Sequence, residues 1–311
     1  MTIPGVLLFV ACALGGAAIV ARALAAWLPT VGMLDAPATG FQDRSVPRGG
    51  GVAIVAPVLL LGCLLLPNDP ASRQRIVVPV TAAGGIAIVS LIDDIRTIAV
   101  SIRLATHVAL AAATIATVGP IREISAGPLG TLPLGAAAWP LSMLWIVGLT
   151  NAFNFMDGID AMAGITAAVA GGAVAVASWL VGEPRVGAVA IVFAAACLGF
   201  LTVNWPPARI FMGDVGSTFC GFLLATLPMM ATAGGEPRLA LIVLLTTSPF
   251  LLDTALTLSR RISHGENIFQ SHRTHIYQQL VLAGWPQATV SCLYGGLAAA
   301  AGAFGIYMTL R

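Results

Sequence analysis

The sequence predicts an all-α polytopic integral membrane protein, and three observations support that prediction. Only 9% of the 311 residues are charged, and the mean hydropathy is +0.93. Soluble domains carry about 25% charged residues. Apolar runs near the roughly twenty residues that cross a bilayer recur along the whole chain. Because a backbone in lipid must satisfy its own hydrogen bonds, these runs are expected to be helices.

Ten spans are predicted in order along the chain. Charged residues, prolines or glycine-rich breaks bound them at residues 4–28, 50–67, 76–92, 104–120, 132–150, 160–182, 187–203, 217–233, 239–258 and 288–309. The first run is interpreted as a span and not as a cleaved leader, so residues 1–311 are expected to form a single membrane domain. Tryptophans near span ends are typical interfacial anchors. They are Trp27, Trp139, Trp179, Trp205 and Trp285.

Composition also restricts the partners. The net charge of +2 comes without a basic patch or an aromatic–basic platform, so nucleic acid is not expected to bind. The five cysteines are scattered through apolar runs and lack metal-type spacing, which indicates small hydrophobic residues within spans. Function is therefore expected in the polar connections.

The long polar connections all fall on one side of an alternating chain. They follow spans 1, 3, 5, 7 and 9, at residues 34–51, 93–103, 151–158, 204–217 and 259–280, and we call their side the motif face. The motif face holds eight arginines and the opposite face six, with no lysine in the chain. This bias favours a cytoplasmic motif face.

Aspartates on the motif face suggest a divalent cation. Asp93 and Asp94 are adjacent, and neighbouring carboxylates resist joint ionisation unless a cation compensates. Asp214 lies between Gly213 and Gly216, where the backbone can approach a ligand and a helix start favours anions. Mg²⁺ prefers carboxylates together with substrate phosphates. The alternatives are a solvated helix end for the pair and an Asp–Gly turn for Asp214.

Four polar residues recur at three-residue steps in the stretch TNAFNFMDGIDAMAGIT: Asn151, Asn154, Asp157 and Asp160. This spacing keeps near neighbours on roughly one side of a helical entry. Amides can recognise a base edge or an acetamido group, and carboxylates can bind a metal or an imide N–H. We therefore expect one wall of a substrate site. Phe211, three residues before Asp214, is placed to stack on a planar base.

Basic residues complete the motif face. His272, Arg273 and His275 form a cluster suited to diphosphate oxygens or to proton transfer, with an interfacial polar loop as the alternative. Zinc is not favoured, since a third soft ligand is not apparent. Arg48 precedes three glycines that suit either a phosphate cradle or close helix packing.

Ionisable residues also lie within predicted spans, Asp253 and His107 among them. Asp253, in span 9, is a functional candidate by its position, and an ion pair with Arg260 is the structural alternative. His107 lies one turn after Arg103 and is expected to be structural.

Four motifs, taken in their order along the chain, resemble those of the polyprenyl-phosphate N-acetylhexosamine-1-phosphate transferase superfamily, of the glycosyltransferase family 4 type. They are DDIR, NAFNFMDGIDAMAG, NWPPARIFMGDVGS and SHRTHIYQ. GMLDAPATGFQDRSVPRGGGVAIV resembles that family's first cytoplasmic loop. The resemblance covers about residues 31–285 and is strongest to members that initiate O-antigen and related polysaccharides.

The resemblance implies a reaction. A sugar 1-phosphate would pass from a UDP-N-acetyl sugar to undecaprenyl phosphate, releasing UMP. The transfer would depend on Mg²⁺, with Mn²⁺ as a substitute, at the cytoplasmic face of the bacterial inner membrane. The product would begin a lipopolysaccharide or another cell-wall polymer, and a homodimer is a further expectation.

The resemblance also assigns roles to residues of this chain. Asp214 and Asp94 would hold the metal. Asp93 and Asp94 would take part in catalysis by positioning or deprotonating the lipid phosphate, together with His272 and His275 on the diphosphate side. Phe211 and Asp160 would hold the uracil. The remaining substrate-binding positions are Arg48, Asn151, Asn154, Asp157 and Arg273.

Some positions depart from the family pattern. No lysine follows the acidic pair, and SHRTH replaces a run of histidines seen in the cell-wall precursor transferases. Phospho-N-acetylmuramoyl-pentapeptide transfer is therefore the alternative and not the first expectation. The usual DGxDG reads DGIDA, with Ala161 for glycine, and DRSV stands where RSSH is common.

Two other classes compete with this interpretation. A transporter would need ionisable residues near the bilayer midplane and broken helices in related halves. A phosphatase acting on lipid diphosphates would share the metal and the basic residues but would need no nucleotide pocket.

Overall fold

The computed structural model describes residues 3–35, 45–125, 127–232, 235–267 and 273–310. Helices dominate these residues, which confirms the all-α class. They are α1 (Ile3–Trp27), α2 (Val52–Leu64), α3 (Pro70–Ile95), α4 (Val100–Val118), α5 (Ala138–Phe155), α6 (Met162–Leu180), α7 (Pro184–Asn204), α8 (Asp214–Thr226), α9 (Pro237–Ser263), α10 (Ile276–Leu282) and α11 (Gln287–Thr309). Two short antiparallel pairs were not predicted. They are β1 (Leu34–Asp35) with β2 (Val46–Pro47) and β3 (Glu123–Ser125) with β4 (Thr131–Pro133).

The polytopic architecture is also confirmed. Within the described ranges, eight helices are long and apolar enough to cross a membrane. Two shorter apolar helices, α2 and α8, occupy the other two predicted spans. At 1.5 Å per residue, the 13 residues of α2 rise only about 20 Å. Helix α8 continues as a 3₁₀ helix over Leu227–Met230 and rises about 28 Å in all, so both are shorter than the roughly 30 Å hydrocarbon core. The count of ten membrane crossings therefore stays a prediction.

Helix α8 lies at the centre of the bundle. It packs against α3 and α5, and every residue from Val215 to Thr226 is buried. A helix enclosed by protein does not need to match the lipid thickness, which explains its short length. Its N-terminal residue, Asp214, is only partly buried and lies at one end of the bundle.

Several predicted connections are shorter in the structure than in the sequence analysis. Helix α5 continues through Asn151 and Asn154 to Phe155, so both asparagines belong to a helix and not to a loop. The reason is local, since the segment has no proline or glycine between Gly148 and Gly158. Likewise α9 extends beyond its predicted end to Ser263, and α10 forms within the last connection.

The five tryptophans behave as interfacial anchors should. Each lies within two residues of a helix end, and their exposed fractions range from 40% to 56%. An amphipathic ring at such a place suits the headgroup layer.

Candidate active site

Two arginines and three aspartates form an ion-pair cluster at the N-terminus of α8. Arg48 reaches both Asp94 and Asp214, with Nε to Asp94 Oδ1 at 2.8 Å and Nη2 to Asp214 Oδ1 at 2.8 Å. Arg103, in the first turn of α4, donates to Asp214 Oδ2 at 2.7 Å and to Asp93. We call these five residues the carboxylate–arginine cluster. It brings α3, α4, α8 and the segment before α2 together.

Asp94 orients the start of α8. Its Oδ1 accepts the backbone N–H of Asp214 at 3.0 Å, and its Oδ2 accepts that of Val215 at 3.1 Å. Free N–H groups at a helix start favour an anion, and here a carboxylate from α3 supplies it. The position of Asp214 therefore depends directly on Asp94.

Glycines allow this junction to close. Gly213 precedes Asp214 with φ +73°, and a Cβ at that position would lie 2.6 Å from Asp94 Oδ2. Gly51 N–H donates to the carbonyl of Met212 at 2.7 Å, and a Cβ on Gly51 would lie 2.2 Å from the Cα of Gly216. The glycine run therefore packs closely against the start of α8, as one of its two interpretations predicted. This packing places Arg48 beside Asp214.

Arg48 is held as a permanent cation. Its burial lowers the pKa, but Asp214, Asp94 and Asp35 together raise the pKa of the guanidinium above its ordinary value. Its third contact, to Asp35 in β1, is longer at 3.9 Å. The short β1–β2 pair therefore brings a further carboxylate to the edge of the cluster.

Asp157 lies in the connection between α5 and α6, next to the cluster. Within the described residues its carboxylate has no hydrogen-bond or ion-pair partner. Burial and the nearby Asp214 carboxylate raise the pKa of Asp157 well above its ordinary value. Asp157 therefore keeps its proton at pH values where an ordinary aspartate has lost it.

The raised pKa of Asp157 predicts that the stability of the protein depends on pH. The folded protein keeps this proton at pH values above 3.8, where the unfolded chain has lost it. Stability should therefore fall as the pH rises through that window, because the folded state binds more protons. Asp157→Asn removes this effect. We expect the melting temperature of the unmodified protein, followed by tryptophan fluorescence in detergent, to fall relative to the variant as the pH rises above about 4.5.

Asp69→Asn is the matched control. The Asp69 carboxylate accepts the N–H of Ser72, which lowers its pKa from 3.8, so its titration lies below this range. The difference between the unmodified protein and Asp69→Asn should then be constant above pH 4.5. A constant difference for Asp157→Asn as well would contradict the raised pKa.

The four regularly spaced polar residues make different contacts, and their role as one wall of a substrate site stays a prediction. The Asn151 amide lies 3.3 Å from His107 Nδ1 and donates to the carbonyl of Val147. The Asn154 amide donates to Ser217 Oγ at 3.1 Å, so it faces α8. The two asparagines therefore contact different helices, α4 and α8.

Asp160 organises a second junction. Its Oδ2 accepts the N–H of Ala208 at 2.8 Å, and its backbone carbonyl accepts the Ser291 hydroxyl at 2.6 Å. Asn204 bridges the same region, accepting from the Ala161 N–H and donating to the carbonyl of Ile210. Asp160 is 3% exposed and thus joins α6 to the segment that leads to Phe211. Phe211 itself is only partly buried.

Ala161 is strained. It has φ +66°, and it is the one non-glycine residue with positive φ in the described chain. The left-handed region costs an L-residue about 1–2 kcal/mol, and part of this is offset by the greater unfolded-state entropy of glycine. We expect Ala161→Gly to raise the apparent melting temperature by about 2 °C.

Ala163→Gly is the control for this substitution. Ala163 is equally buried and lies two residues further on, inside α6. Glycine within a helix is destabilising by about 0.5–1 kcal/mol, so this change should lower the melting temperature. If both variants lower it by similar amounts, Ala161 carries no backbone strain.

Asp253 forms a separate buried network and does not pair with Arg260. It accepts hydrogen bonds from the backbone N–H groups of Ile276 and Tyr277 at 2.9 and 3.1 Å, and from the Tyr294 hydroxyl at 2.6 Å. His275 Nδ1 lies 3.0 Å from Asp253 Oδ1. Asp253 is 1% exposed and caps α10, so its role here is structural.

This network positions the histidine segment. His275 is buried and stacks on Tyr277, whose hydroxyl donates to the carbonyl of Phe155 at 3.1 Å. The last residue of α5 and the first turn of α10 are thereby held together. Arg273 is exposed at this edge, whereas His272 lies outside the described residues.

An apolar groove opens between α5 and α9. Its volume is about 610 Å³, and its walls are almost entirely hydrophobic, with Leu144, Val147, Leu244 and Leu251 among them. The groove reaches Asn151 and Phe155 at the end of α5, towards the site. Such a shape suits an extended hydrocarbon chain whose polar end reaches the site.

Among the described residues no group of three or more His, Cys, Asp or Glu side chains is arranged to hold a metal ion by itself, so a divalent cation here would need substrate oxygens as further ligands. Asp93, Asp94, Asp157 and Asp214 are four carboxylates facing the two guanidinium groups of Arg48 and Arg103. Because Asp157 keeps its proton, ionisation of the other three carboxyl groups would leave one uncompensated negative charge, which would attract a cation. The Asp214 side chain is 15% exposed, whereas that of Asp94 is completely buried. Asp214 is therefore the carboxylate of this pair that a ligand could reach, and Asp94 holds it in place through its bonds to the start of α8.

Several important residues escaped the sequence analysis. Arg103 was grouped only with His107, yet it pairs with Asp93 and Asp214. Its rarity was the available signal, since the chain has only 15 basic residues and no lysine. Tyr294 and Asn204 carried no such signal, because a single tyrosine or asparagine within an apolar run does not reveal its partner.

Known proteins with similar sequences fall in one family. The sequence model of glycosyl transferase family 4 matches residues 76–232. A probable undecaprenyl-phosphate N-acetylglucosaminyl 1-phosphate transferase of Bacillus subtilis is 29% identical over 262 residues, covering 82% of this chain and 71% of that protein. A phospho-N-acetylmuramoyl-pentapeptide-transferase of Moorella thermoacetica is 26% identical over 291 residues, covering 88% and 87%. Its counterpart in Heliobacterium modesticaldum is 38% identical over 160 residues, covering 50% and 47%.

Proposed function

Because this chain belongs to glycosyl transferase family 4, we propose that it transfers a sugar 1-phosphate from a UDP-N-acetyl-hexosamine to undecaprenyl phosphate. The observation that carries this proposal is the carboxylate–arginine cluster next to the apolar groove between α5 and α9. A phosphotransferase with a lipid acceptor needs both a phosphate site and a hydrocarbon groove. The product would be the first lipid-linked sugar of an O-antigen or a similar polysaccharide.

In this reaction an oxygen of the lipid phosphate would attack the β-phosphorus of the donor. The bond from that phosphorus to the bridging oxygen would break, and UMP would leave with the bridging oxygen. Arg48 and Arg103 would donate hydrogen bonds to the diphosphate oxygens, since a planar guanidinium fits phosphate well. Transfer of a phosphoryl group requires mainly positioning and charge neutralisation.

The remaining residues would set the two substrates in place. Asp93 is held by Arg103 and by the Ile98 N–H, so it would orient Arg103 at the acceptor phosphate. Asp157, which keeps its proton in the folded protein, would donate a hydrogen bond to the nucleotide sugar. Phe211 and the Asp160 junction would hold the uracil.

Magnesium would be held by Asp214 together with substrate oxygens. Bound there, it would neutralise the negative charge of the diphosphate during transfer. The motif face would then lie in the cytoplasm, where nucleotide sugars are made, in agreement with the arginine bias.

Release of UMP from purified protein tests the proposal. The protein would be assayed in detergent with undecaprenyl phosphate, Mg²⁺ and a panel of UDP-N-acetyl sugars. We expect UMP release with at least one donor, lost when either the lipid or Mg²⁺ is omitted. Absence of release with every donor, by protein that still melts cooperatively, would reject the proposed reaction. Hydrolysis of lipid diphosphates would then be assayed.

The muramoyl-pentapeptide donor is the second candidate and belongs in the same panel. It is supported by the Moorella thermoacetica relative, which matches a larger share of both chains than the Bacillus subtilis one does. The absence of a lysine after the acidic pair weighs against it. UMP release with this donor alone would replace the first proposal.

A further inference from the structure

Two arginines outside the carboxylate–arginine cluster share a polar pocket at the same end of the bundle. Arg22 lies in α1, five residues before the helix ends, and Arg209 lies in the connection between α7 and α8. The pocket has a volume of about 390 Å³. Its lining residues are Arg22, Thr202, Val203, Trp205, Pro207 and Arg209.

These two arginines carry uncompensated charge. Neither side chain has an ion pair or a hydrogen bond within the described part of the chain, and both are exposed. By contrast Arg48, Arg103 and Arg261 all contact carboxylates. Two guanidinium groups without a carboxylate repel each other and attract an anion. Phosphate oxygens are the anionic acceptors that match a guanidinium best.

The depth of the pocket indicates where the anion comes from. Arg22 lies within the candidate span Pro4–Val31, and five residues of helix correspond to about 7.5 Å. That distance places its guanidinium near the headgroup layer, where long arginine side chains extend towards the interface. Trp27 and Trp205 are both exposed at the adjacent helix ends, as is typical of the interface. An anion in this pocket is therefore best supplied by the membrane itself.

The geometry points to a binding site for the phosphate of an anionic phospholipid headgroup. The site is distinct from the groove between α5 and α9, because none of its lining residues is shared with that groove. It contacts the connection that contains Ala208, whose N–H bonds to Asp160, and that continues to Phe211. A bound phospholipid would steady this connection from the membrane side without taking part in the transfer reaction.

Quenching of Trp205 by brominated lipids tests the inference on the full-length protein in vesicles. Brominated phosphatidylglycerol would be compared with brominated phosphatidylcholine, and the Trp205→Phe variant would identify the contribution of this ring among the six tryptophans. We expect a preference for phosphatidylglycerol. An arginine near an anionic surface contributes about 1 kcal/mol, which is about five-fold in affinity. The double variant that combines Arg22→Gln and Arg209→Gln should thus reduce the preference for phosphatidylglycerol about thirty-fold.

Arg185→Gln is the matched control. Arg185 is exposed at the opposite end of α7, so the same charge is removed far from the pocket, and the lipid preference should stay within about two-fold. An unchanged preference in the double variant would overturn the inference. Loss of the quenching on adding millimolar inorganic phosphate would assign the pocket to a free anion instead. A higher KM for the nucleotide sugar in the double variant, with an unchanged lipid preference, would assign the pocket to the nucleotide sugar.

Discussion

Replacing Asp214 with asparagine is expected to reduce UMP release at least about 10³-fold while leaving the protein folded. Asp214 is the carboxylate that Arg48 and Arg103 share, and it is the proposed ligand of a divalent cation. Asparagine keeps the shape and the backbone N–H that bonds to Asp94, but it removes the charge. The measurement is UMP release at saturating Mg²⁺, with the melting temperature as the check on folding.

Asp35→Asn is the control for this experiment. Asp35 also faces Arg48, but at 3.9 Å and with 36% of its side chain exposed, so its loss should change the rate less than about three-fold. A variant at Asp214 that keeps a tenth of the activity would show that the charge at the start of α8 is not needed. The transfer would then have to be assigned to other residues.

The second large effect is expected on stability and not on the chemistry. Asp253→Ala should lower the free energy of unfolding by about 3–5 kcal/mol, because removing one member of a buried charged network leaves its partners unpaired. His275, the Tyr294 hydroxyl and the N-terminus of α10 would all lose their acceptor. In a chain of this size we expect the melting temperature to fall by about 6 °C or more.

Glu266→Ala provides the comparison for Asp253. Glu266 forms an ion pair with Arg261 at 2.9 Å, but 49% of its side chain is exposed. Its replacement should therefore lower the free energy of unfolding by less than about 1 kcal/mol. Tyr294→Phe removes a single hydrogen-bond donor from Asp253, so its loss of unfolding free energy should lie between those of Asp253→Ala and Glu266→Ala. A stable Asp253→Ala protein that has lost all activity would contradict the structural role and return Asp253 to the catalytic candidates.

The spans could be predicted from the sequence because hydropathy is a local property. Each apolar run is recognisable without knowledge of its neighbours, since lipid requires every crossing segment to satisfy its own backbone. The exception was the end of α5, where Asn151 and Asn154 continue the helix despite their polarity. Polar residues at a helix end do not stop a helix when no proline or glycine intervenes.

The grouping of functional residues was also predictable, but their individual contacts were not. Alternation of spans predicted that Asp94 and Asp214 share a face, and the structure places them in contact across 120 residues of sequence. The spacing of residues could not predict that Asp94 holds the start of α8. Nor could it predict that Asp157 has no partner among the described residues. The same holds for the network around Asp253.

The sequence by itself determined the membrane class, the order of the spans and the face on which the polar motifs meet. Those properties follow from the composition of each segment and from the alternation of the chain. Only the tertiary structure decided which carboxylate meets which arginine, which aspartate supports a helix end and which arginines stay unpaired. Such contacts join residues far apart in the chain, and their free energies depend on burial and on distances of a few ångströms, which no local pattern records.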